Sequence, residues 1–306
     1  MSLDKEYFDY PHRSYGMDHD YYDWSMMANR PPVSWPDGKH VALWINVALQ
    51  YFPLNQQGKP FAPTSGMTTA YPDLRHYTLR EYGNRVGIFR LLKAFDKYNV
   101  TPTFAMQTRL AERYPYLLRK IVERGDEIIC HGWHMDAPHY GGQNQGEEAA
   151  LVKKSLDGLR QLTGRDIRGW LSPSKSQSFN TPQLLVENGV EYMCDWINDE
   201  LPFAFRTGAG EITALPLSTE LEDRFIMQAN LHSEAEYADQ IIDAFDFLYK
   251  EAQDTNSGRM LALSIHPWML GQPHRISRLE QVLEHITGHS GVWSAGAGDI
   301  VAAATR

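Results

Sequence analysis

The sequence predicts an α/β fold, a deformed (β/α) barrel with seven or eight parallel strands. Apolar runs of strand length alternate along the chain with runs whose apolar side chains recur at helical spacing. This alternation is typical of parallel strands that are joined by helices and form a single sheet. Polar side chains follow the predicted strand ends, and in such barrels the carboxyl ends of the strands converge on one mouth.

Each element is predicted from its length and its apolar pattern. Helical spacing of apolar residues marks 85–98, 114–123, 147–162, 181–187, 234–251 and 275–286. Asn180-Thr181-Pro182 is typical of a helix start, because a polar cap precedes a proline near the first turn. The predicted strands are 41–46, 103–107, 127–131, 167–172, 192–196, 212–217, 260–266 and 291–294.

Two regions are expected along the chain. Residues 40–306 show no repeat of fixed period and no linker composition, so they are expected to form one catalytic barrel. Residues 1–39 are aromatic, polar and interrupted by prolines, and such a segment cannot form a core alone. They are expected to form an N-terminal arm that wraps the domain or a neighbouring subunit, which favours a homo-oligomer.

Composition excludes several classes of partner. The 306 residues carry a formal net charge of −9, whereas nucleic-acid binding favours a basic face. No apolar run approaches the roughly 18 residues of a membrane helix, and the first residues lack the order of a secretory signal. We therefore expect a cytoplasmic protein with a small-molecule substrate. Cys130 and Cys194 lie in apolar runs and are expected to be reduced core thiols.

Two histidines, His131 and His266, end two of the predicted buried strands. A single histidine beside a strand is more often structural, but two at one mouth indicate acid–base or metal chemistry near neutral pH. Glu220 and Asp223 offer carboxylates for acid–base catalysis, whereas Glu222 is expected on a charged surface turn. Other polar residues that follow predicted strands are Asn46, Gln50, Gln107, Ser172 and Asp195.

Two interpretations stay open for Arg85, at the start of the first predicted helix. Its guanidinium either turns into the barrel mouth and holds a carboxylate or ureido oxygen, or pairs with Glu81 four residues earlier.

The stretch after the third strand offers nitrogen and oxygen atoms to a metal. No cofactor is expected, but zinc or another divalent metal is an alternative, because zinc sites combine three or four such ligands. A polar loop at a strand end explains the same residues. The candidate ligands are His131, His134, Asp136 and His139.

At these motifs the chain resembles the polysaccharide deacetylase superfamily (NodB-like), and within it the metal-independent, uricolytic-type allantoinase branch. The resemblance implies a distorted (β/α) barrel and hydrolysis of a non-peptide C–N bond, in an amide or ureide. The matching stretches run from about residue 40 to the end of the chain in the order of the family. They are 82–87, 125–133, 168–170, Asp195 with 199–202, and 265–266 with 269–273.

The chain departs from this family at the metal ligands. The resemblance implies two aspartates at the end of the first strand, but residues 44–50 contain no carboxylate. It also implies a second histidine four residues after His131, where this chain has Met135. The allantoinase-like branch carries acidic residues near the position of Gln50 and Tyr51.

The resulting hypothesis is an amidohydrolase-like enzyme in which water is the nucleophile. His131 and His266 act as base, acid or polarising donor. Two rival hypotheses stay open: a catalytically inactive binding protein on the same fold, and a metal-dependent deacetylase with rearranged ligands. Substrate binding is assigned to Asn46, Gln50, Arg85, Asp195 and Trp268, with Trp133 as a wall, and Glu220 and Asp223 help to position the substrate.

Overall fold

The computed structural model describes residues 19–55 and 74–304. Within these ranges the strands form one sheet in the order β6-β7-β5-β4-β3-β2-β1-β8, with β9 paired to the first residues of β1. Neighbouring strands are parallel except in the β6–β7 hairpin. The strands are β1 (Val41–Leu49), β2 (Pro102–Met106), β3 (Glu127–Cys130), β4 (Gly169–Trp170), β5 (Tyr192–Met193), β6 (Phe203–Thr207), β7 (Gly210–Ala214), β8 (Arg259–Ile265) and β9 (Val292–Ser294).

The predicted deformed (β/α) barrel is confirmed as a curled, mostly parallel sheet with helical connections. Each of the eight predicted runs overlaps a strand, although β4 and β5 are only two residues long. The prediction missed β6, which alone is antiparallel to its neighbour. Among the described residues, β6 and β8 are the two ends of the hydrogen-bonded path, so the barrel is open between them.

Helices follow most of the strands, as the periodicity predicts. The long predicted helices are present, and the shorter α1, α3, α8 and α10 were not predicted. A π-helical turn, Gly83–Gly87, joins α1 to α2. The helices are α1 (Leu74–Tyr82), α2 (Ile88–Tyr98), α3 (Thr108–Arg113), α4 (Pro115–Arg124), α5 (Gln145–Thr163), α6 (Thr181–Glu187), α7 (Glu234–Thr255), α8 (Pro267–Leu270), α9 (Ile276–Thr287) and α10 (Ala297–Ala304).

The central strand β1 is buried on both faces, and its alternation decides which side chains reach the barrel interior. Leu43, Ile45 and Val47 pack with the helices in the larger core cluster. Trp44 belongs to a second cluster inside the curl of the sheet, together with residues of β2, β3, β5 and β8. Because side chains alternate along a strand, every second residue after Trp44 also faces the interior. The last of these, Gln50, lies at the carboxyl end of the sheet.

The described part of the predicted arm lies on this chain's own barrel. Tyr21 stacks on Phe205 of β6, with ring centroids 5.0 Å apart. The Trp35 indole donates to the carbonyl of Arg259 at 2.8 Å. The remainder of the arm, residues 1–18, lies outside the described residues. In the described ranges, no helix has the length and apolar character needed to cross a membrane.

Candidate active site

A polar cavity of about 230 Å³ lies at the carboxyl ends of the parallel strands. Trp44, Ile129 and Ala262, one from each of β1, β3 and β8, belong to the cluster inside the curl. Every second residue after them faces the same side, so the ends of these strands direct side chains into the cavity. His131 and His266 both line it, so the two histidines share one cavity. Its other polar walls are Gln50, Ser172, Ser174, Lys175, Asp195, Thr219, Glu222, Arg224 and Ser264.

His266 forms a buried pair with Asp223. The Asp223 carboxylate accepts from the His266 ring at Nδ1 and from the His266 backbone N–H, both at 2.7 Å. The two bonds use both carboxylate oxygens and fix the imidazole orientation. Because Nδ1 carries the hydrogen that points to Asp223, Nε2 is the ring nitrogen left for a molecule in the cavity. The pair is therefore arranged for proton transfer.

His131 is held in the neutral form with its proton on Nδ1. That nitrogen donates to the carbonyl of Leu171 at 2.8 Å. Burial lowers the pKa of His131 to about 4, and the charge of His266 also lowers it. The unprotonated Nε2 then accepts a hydrogen bond from the Gln50 side-chain amide, 3.2 Å away. His131 thus fixes the amide of Gln50 at the cavity wall.

Asp195 supports the wall of the cavity through three donors. Its oxygens accept from the Ser172 backbone N–H at 2.7 Å, the Ser172 hydroxyl at 2.9 Å and the Gln177 amide at 2.5 Å. Burial raises the pKa of Asp195 to about 6, although these hydrogen bonds act in the opposite direction. With its oxygens already engaged, Asp195 is better suited to shaping the cavity than to holding substrate.

An ionic group that the sequence did not predict completes the cavity. Glu222 is 7% exposed, and its carboxylate lies 3.4 Å from Lys175 Nζ and 3.2 Å from Arg224 Nε. Burial raises its pKa, but the charges of Lys175 and Arg224, and of His266 when that ring is protonated, outweigh that effect and lower it. The expectation that Glu222 lies on a surface turn is wrong. Its only signal in the sequence was its position beside Asp223.

Several predicted site residues lie elsewhere. Glu220 is exposed and outside the walls of this cavity. The Arg85 side chain is 69% exposed and lies 3.8 Å from Glu81, so the structure has the ion pair and not the mouth-facing arrangement. Trp133 packs under the Lys154 ammonium, which is 3.7 Å from the ring centroid. It is therefore not a wall of the cavity, because its ring faces α5.

Asn46 and Trp268 lie behind the cavity instead of in its walls. Asn46 is fully buried, and its amide nitrogen is 3.4 Å from the hydroxyl of Ser264, which does line the cavity. The Trp268 ring is stacked by the Arg80 guanidinium at 3.5 Å and lies 5.7 Å from the His266 ring. Both residues support neighbours that face the cavity.

The four residues considered as metal ligands do not meet at one point. His134 Nδ1 accepts from the backbone N–H of Asp136, whereas His139 is fully buried and lies 3.2 Å from Glu148. Among the described residues, the group of three ligands close enough to share an ion lies elsewhere and contains none of these residues. The four candidates therefore do not converge, because the loop after β3 directs them to different neighbours.

Comparison with known proteins identifies the same family as the motifs. The chain is 26% identical to a peptidoglycan deacetylase of Helicobacter pylori over 243 residues, which are 69% of this chain and 81% of the relative. It superposes on the PuuE allantoinase crystal structure with a TM-score of 0.81 and 24% identity, covering 90% of this chain and 94% of the other.

A probable polysaccharide deacetylase from Pseudomonas aeruginosa PAO1 also superposes, with a TM-score of 0.78 and 25% identity, over 90% of this chain and 94% of that one. The polysaccharide deacetylase family model matches residues 81–193, which include the His131 motif. Residues 81–193 therefore match the polysaccharide deacetylase family that the motifs indicated.

Proposed function

We propose that this protein is a hydrolase that cleaves a non-peptide C–N bond in a small amide or ureide, with an allantoinase-like activity. The observation that carries the proposal is the buried Asp223–His266 pair, whose free ring nitrogen shares a cavity with His131. The family relatives are deacetylases, and an allantoinase shares the fold. Both kinds of enzyme add water to a carbonyl carbon bonded to nitrogen.

His266 is the best base among the cavity residues. Glu222 is paired with two cations and its pKa is lowered, so its carboxylate is a weak acceptor of protons. Asp195 already accepts three hydrogen bonds. His266 Nε2 takes a proton from water as the oxygen attacks the carbonyl carbon, and Asp223 stabilises the imidazolium. The same proton then passes to the leaving nitrogen as the C–N bond breaks.

The developing oxyanion needs hydrogen-bond donors or positive charge. Gln50 has a second amide hydrogen besides the one bonded to His131. Lys175 and Arg224 place cations in the same walls. We therefore assign His131 the role of positioning Gln50, because a neutral ring with a pKa of about 4 is a poor proton donor at pH 7.

The cavity residues do not fit the divalent metal that the deacetylases of this superfamily use. The end of β1 supplies an amide, Gln50, and the buried Asn46 in place of carboxylates. Nε2 of His131, the ring nitrogen that does not bond to the backbone, already accepts a hydrogen bond from Gln50. Met135 lines the cavity four residues after His131 and offers only a weakly coordinating thioether. No step of the proposed reaction passes through a metal.

The size of the cavity favours a small substrate. A volume of about 230 Å³ is smaller than that of most ligand pockets, which span roughly 300–1,000 Å³. Amide, hydroxyl and charged groups in its walls suit a molecule that is rich in carbonyl oxygens and N–H groups, as ureides are. A long polysaccharide would need a groove that continues beyond this cavity.

The experiment is a turnover assay of chelator-treated protein against ureides, N-acetyl sugars and N-acylated small molecules. We expect ureide turnover to survive chelation and to fall about 100- to 1000-fold in His266→Ala. The matched control is His274→Ala, since His274 is exposed. Turnover that requires added metal would favour a metal-dependent deacetylase. Binding of ureides without any turnover would favour an inactive binding protein.

We also propose that the N-terminal arm supports a homo-oligomer in the cytoplasm. Tyr21 of the described arm already lies against β6, an end strand of the sheet. Sedimentation of the full chain tests the assembly, and a monomer at micromolar concentration would contradict it.

A further inference from the structure

Far from the cavity, three metal-ligating side chains meet between α7 and α9. Asp246 lies on α7, His285 on the last turn of α9 and His289 just beyond it. One ligand atom from each lies within 4.8 Å of the other two. No sequence motif marks these residues, because Asp246 and His285 are 39 residues apart.

One ring offers a lone pair to a cation, and the other already points its nitrogen at the carboxylate. His289 Nδ1 donates to the carbonyl of His285 at 2.8 Å, so Nε2 of the neutral ring carries the lone pair. His285 Nε2 lies 2.7 Å from an oxygen of Asp246. Phe245 packs against both rings, with centroids 5.7 Å from His285 and 4.9 Å from His289. These contacts restrict both rings before any ligand arrives.

We propose that Asp246, His285 and His289 form a binding site for a divalent transition metal of the zinc class. Two imidazole nitrogens and one carboxylate oxygen are the ligands of many zinc sites, with bonds of about 2.0–2.1 Å. Tetrahedral geometry at those lengths separates ligand atoms by about 3.3 Å. The three side chains therefore need to shift by only about 1 Å, and the metal replaces the proton between His285 and Asp246.

The site is at the opposite end of the barrel from the cavity. His289 directly precedes β9, and β9 pairs with Val41–Leu43, the first residues of β1. Gln50 and the cavity follow the last residue of β1, nine strand residues later, a distance of roughly 25–30 Å. Bound metal therefore links α7 to the end of α9 and stabilises the fold without touching the reaction.

The test is calorimetric titration of metal-free protein with Zn²⁺ and Ni²⁺, with Mg²⁺ as the hard-cation comparison. The variants are His289→Ala and Asp246→Asn, and the control is His274→Ala, which removes an exposed histidine outside the cluster. We expect one equivalent of Zn²⁺ in wild type and control, at least about tenfold weaker binding in both variants, and no Mg²⁺ binding.

A second measurement separates binding at this site from nonspecific binding to histidines. A hundredfold excess of Zn²⁺ over the wild-type Kd should raise the Tm of wild type by about 4 °C, and at the same concentration the Tm of the two variants should rise by about 2 °C or less. Equal zinc stoichiometry and affinity in wild type and both variants would overturn the proposal. Turnover should be the same with and without zinc, whatever the substrate, so this proposal and the proposed function can fail separately.

Discussion

Replacing His131 by asparagine should remove a pH dependence of stability that burial of the imidazole creates. The pKa of His131 is lowered from 6.5 to about 4, chiefly by burial. Between these values the unfolded chain takes up a proton that the native protein does not, so the free energy of unfolding decreases as the pH falls. At about 1.4 kcal/mol per pH unit, the decrease amounts to about 3 kcal/mol and is complete below pH 4.

The opposite effect of Asp195 makes a paired measurement necessary. Its raised pKa of about 6 lets the native protein bind a proton first, which favours the native state as the pH falls. Both proteins share Asp195, so its contribution cancels in the difference. The asparagine amide nitrogen can take the place of Nδ1 and keep the donor to Leu171.

The assay is urea unfolding of wild type and His131→Asn at intervals from pH 7.5 to pH 4. The variant should gain about 3 kcal/mol relative to wild type across this range. His274→Asn, at an exposed position, is the control and should run parallel to wild type. If the wild-type and His131→Asn curves also run parallel, the imidazole is not buried in its neutral form, and its assignment as an acceptor from Gln50 is refuted.

Three further changes test the site and its support. Asp223→Asn should lower kcat by about 10²–10⁴-fold with little change in KM, because the imidazolium of His266 loses its counter-charge. Steady-state kinetics measure this, and an unchanged kcat would contradict a catalytic role for the Asp223–His266 pair. Arg85→Ala should change kcat/KM less than about twofold, since its side chain is 69% exposed; a larger loss would restore the mouth-facing interpretation. Gly87→Ala should lower the Tm, because a Cβ would lie 2.0 Å from the Pro267 carbonyl oxygen. Gly141→Ala is the matched control, because a Cβ there would meet open space. Equal Tm values for the two variants would contradict the close packing of Gly87 against Pro267.

The fold could be predicted because it rests on local patterns. β1 and β8 are long and wholly buried, so their apolar runs are unmistakable in the sequence. The hairpin strand β6 was missed, because its five residues Phe203–Thr207 include only one buried position and carry an exposed arginine. Its pairing with β7 depends on a turn and on tertiary contacts, which a pattern of burial does not record.

The site could be predicted only in part. His131 and His266 directly follow buried strands, and parallel strands bring such positions to one edge of a sheet. Whether a side chain in a loop turns inward depends on contacts distant in sequence. Glu222 turns inward because Lys175, 47 residues earlier, lies in the same wall, and neighbouring Glu220 turns outward. Charge type alone does not distinguish the two glutamates.

The glycine motif at residues 82–87 has a structural explanation that changes its place in the mechanism. Cβ atoms at Gly83 and Gly87 would lie 2.6 Å from the Trp268 backbone nitrogen and 2.0 Å from the Pro267 carbonyl oxygen. Gly271, at the end of α8, meets the Gly87 backbone in the same way, at 2.4 Å. These three glycines let the π-helical turn lie directly against the segment that follows His266.

This contact fixes the chain on one side of His266, while Asp223 fixes its backbone N–H and ring on the other. A displacement of the α8 segment would move the free Nε2 in the cavity, and misplacement of a reacting group by about 1 Å can cost about 100-fold in rate. Substitutions at Gly87 should therefore reduce kcat as well as stability, whereas those at exposed Arg85 in the same motif should change neither. In the proposed reaction the motif acts by holding the histidine segment in place, and its exposed Arg85 lies outside the cavity walls.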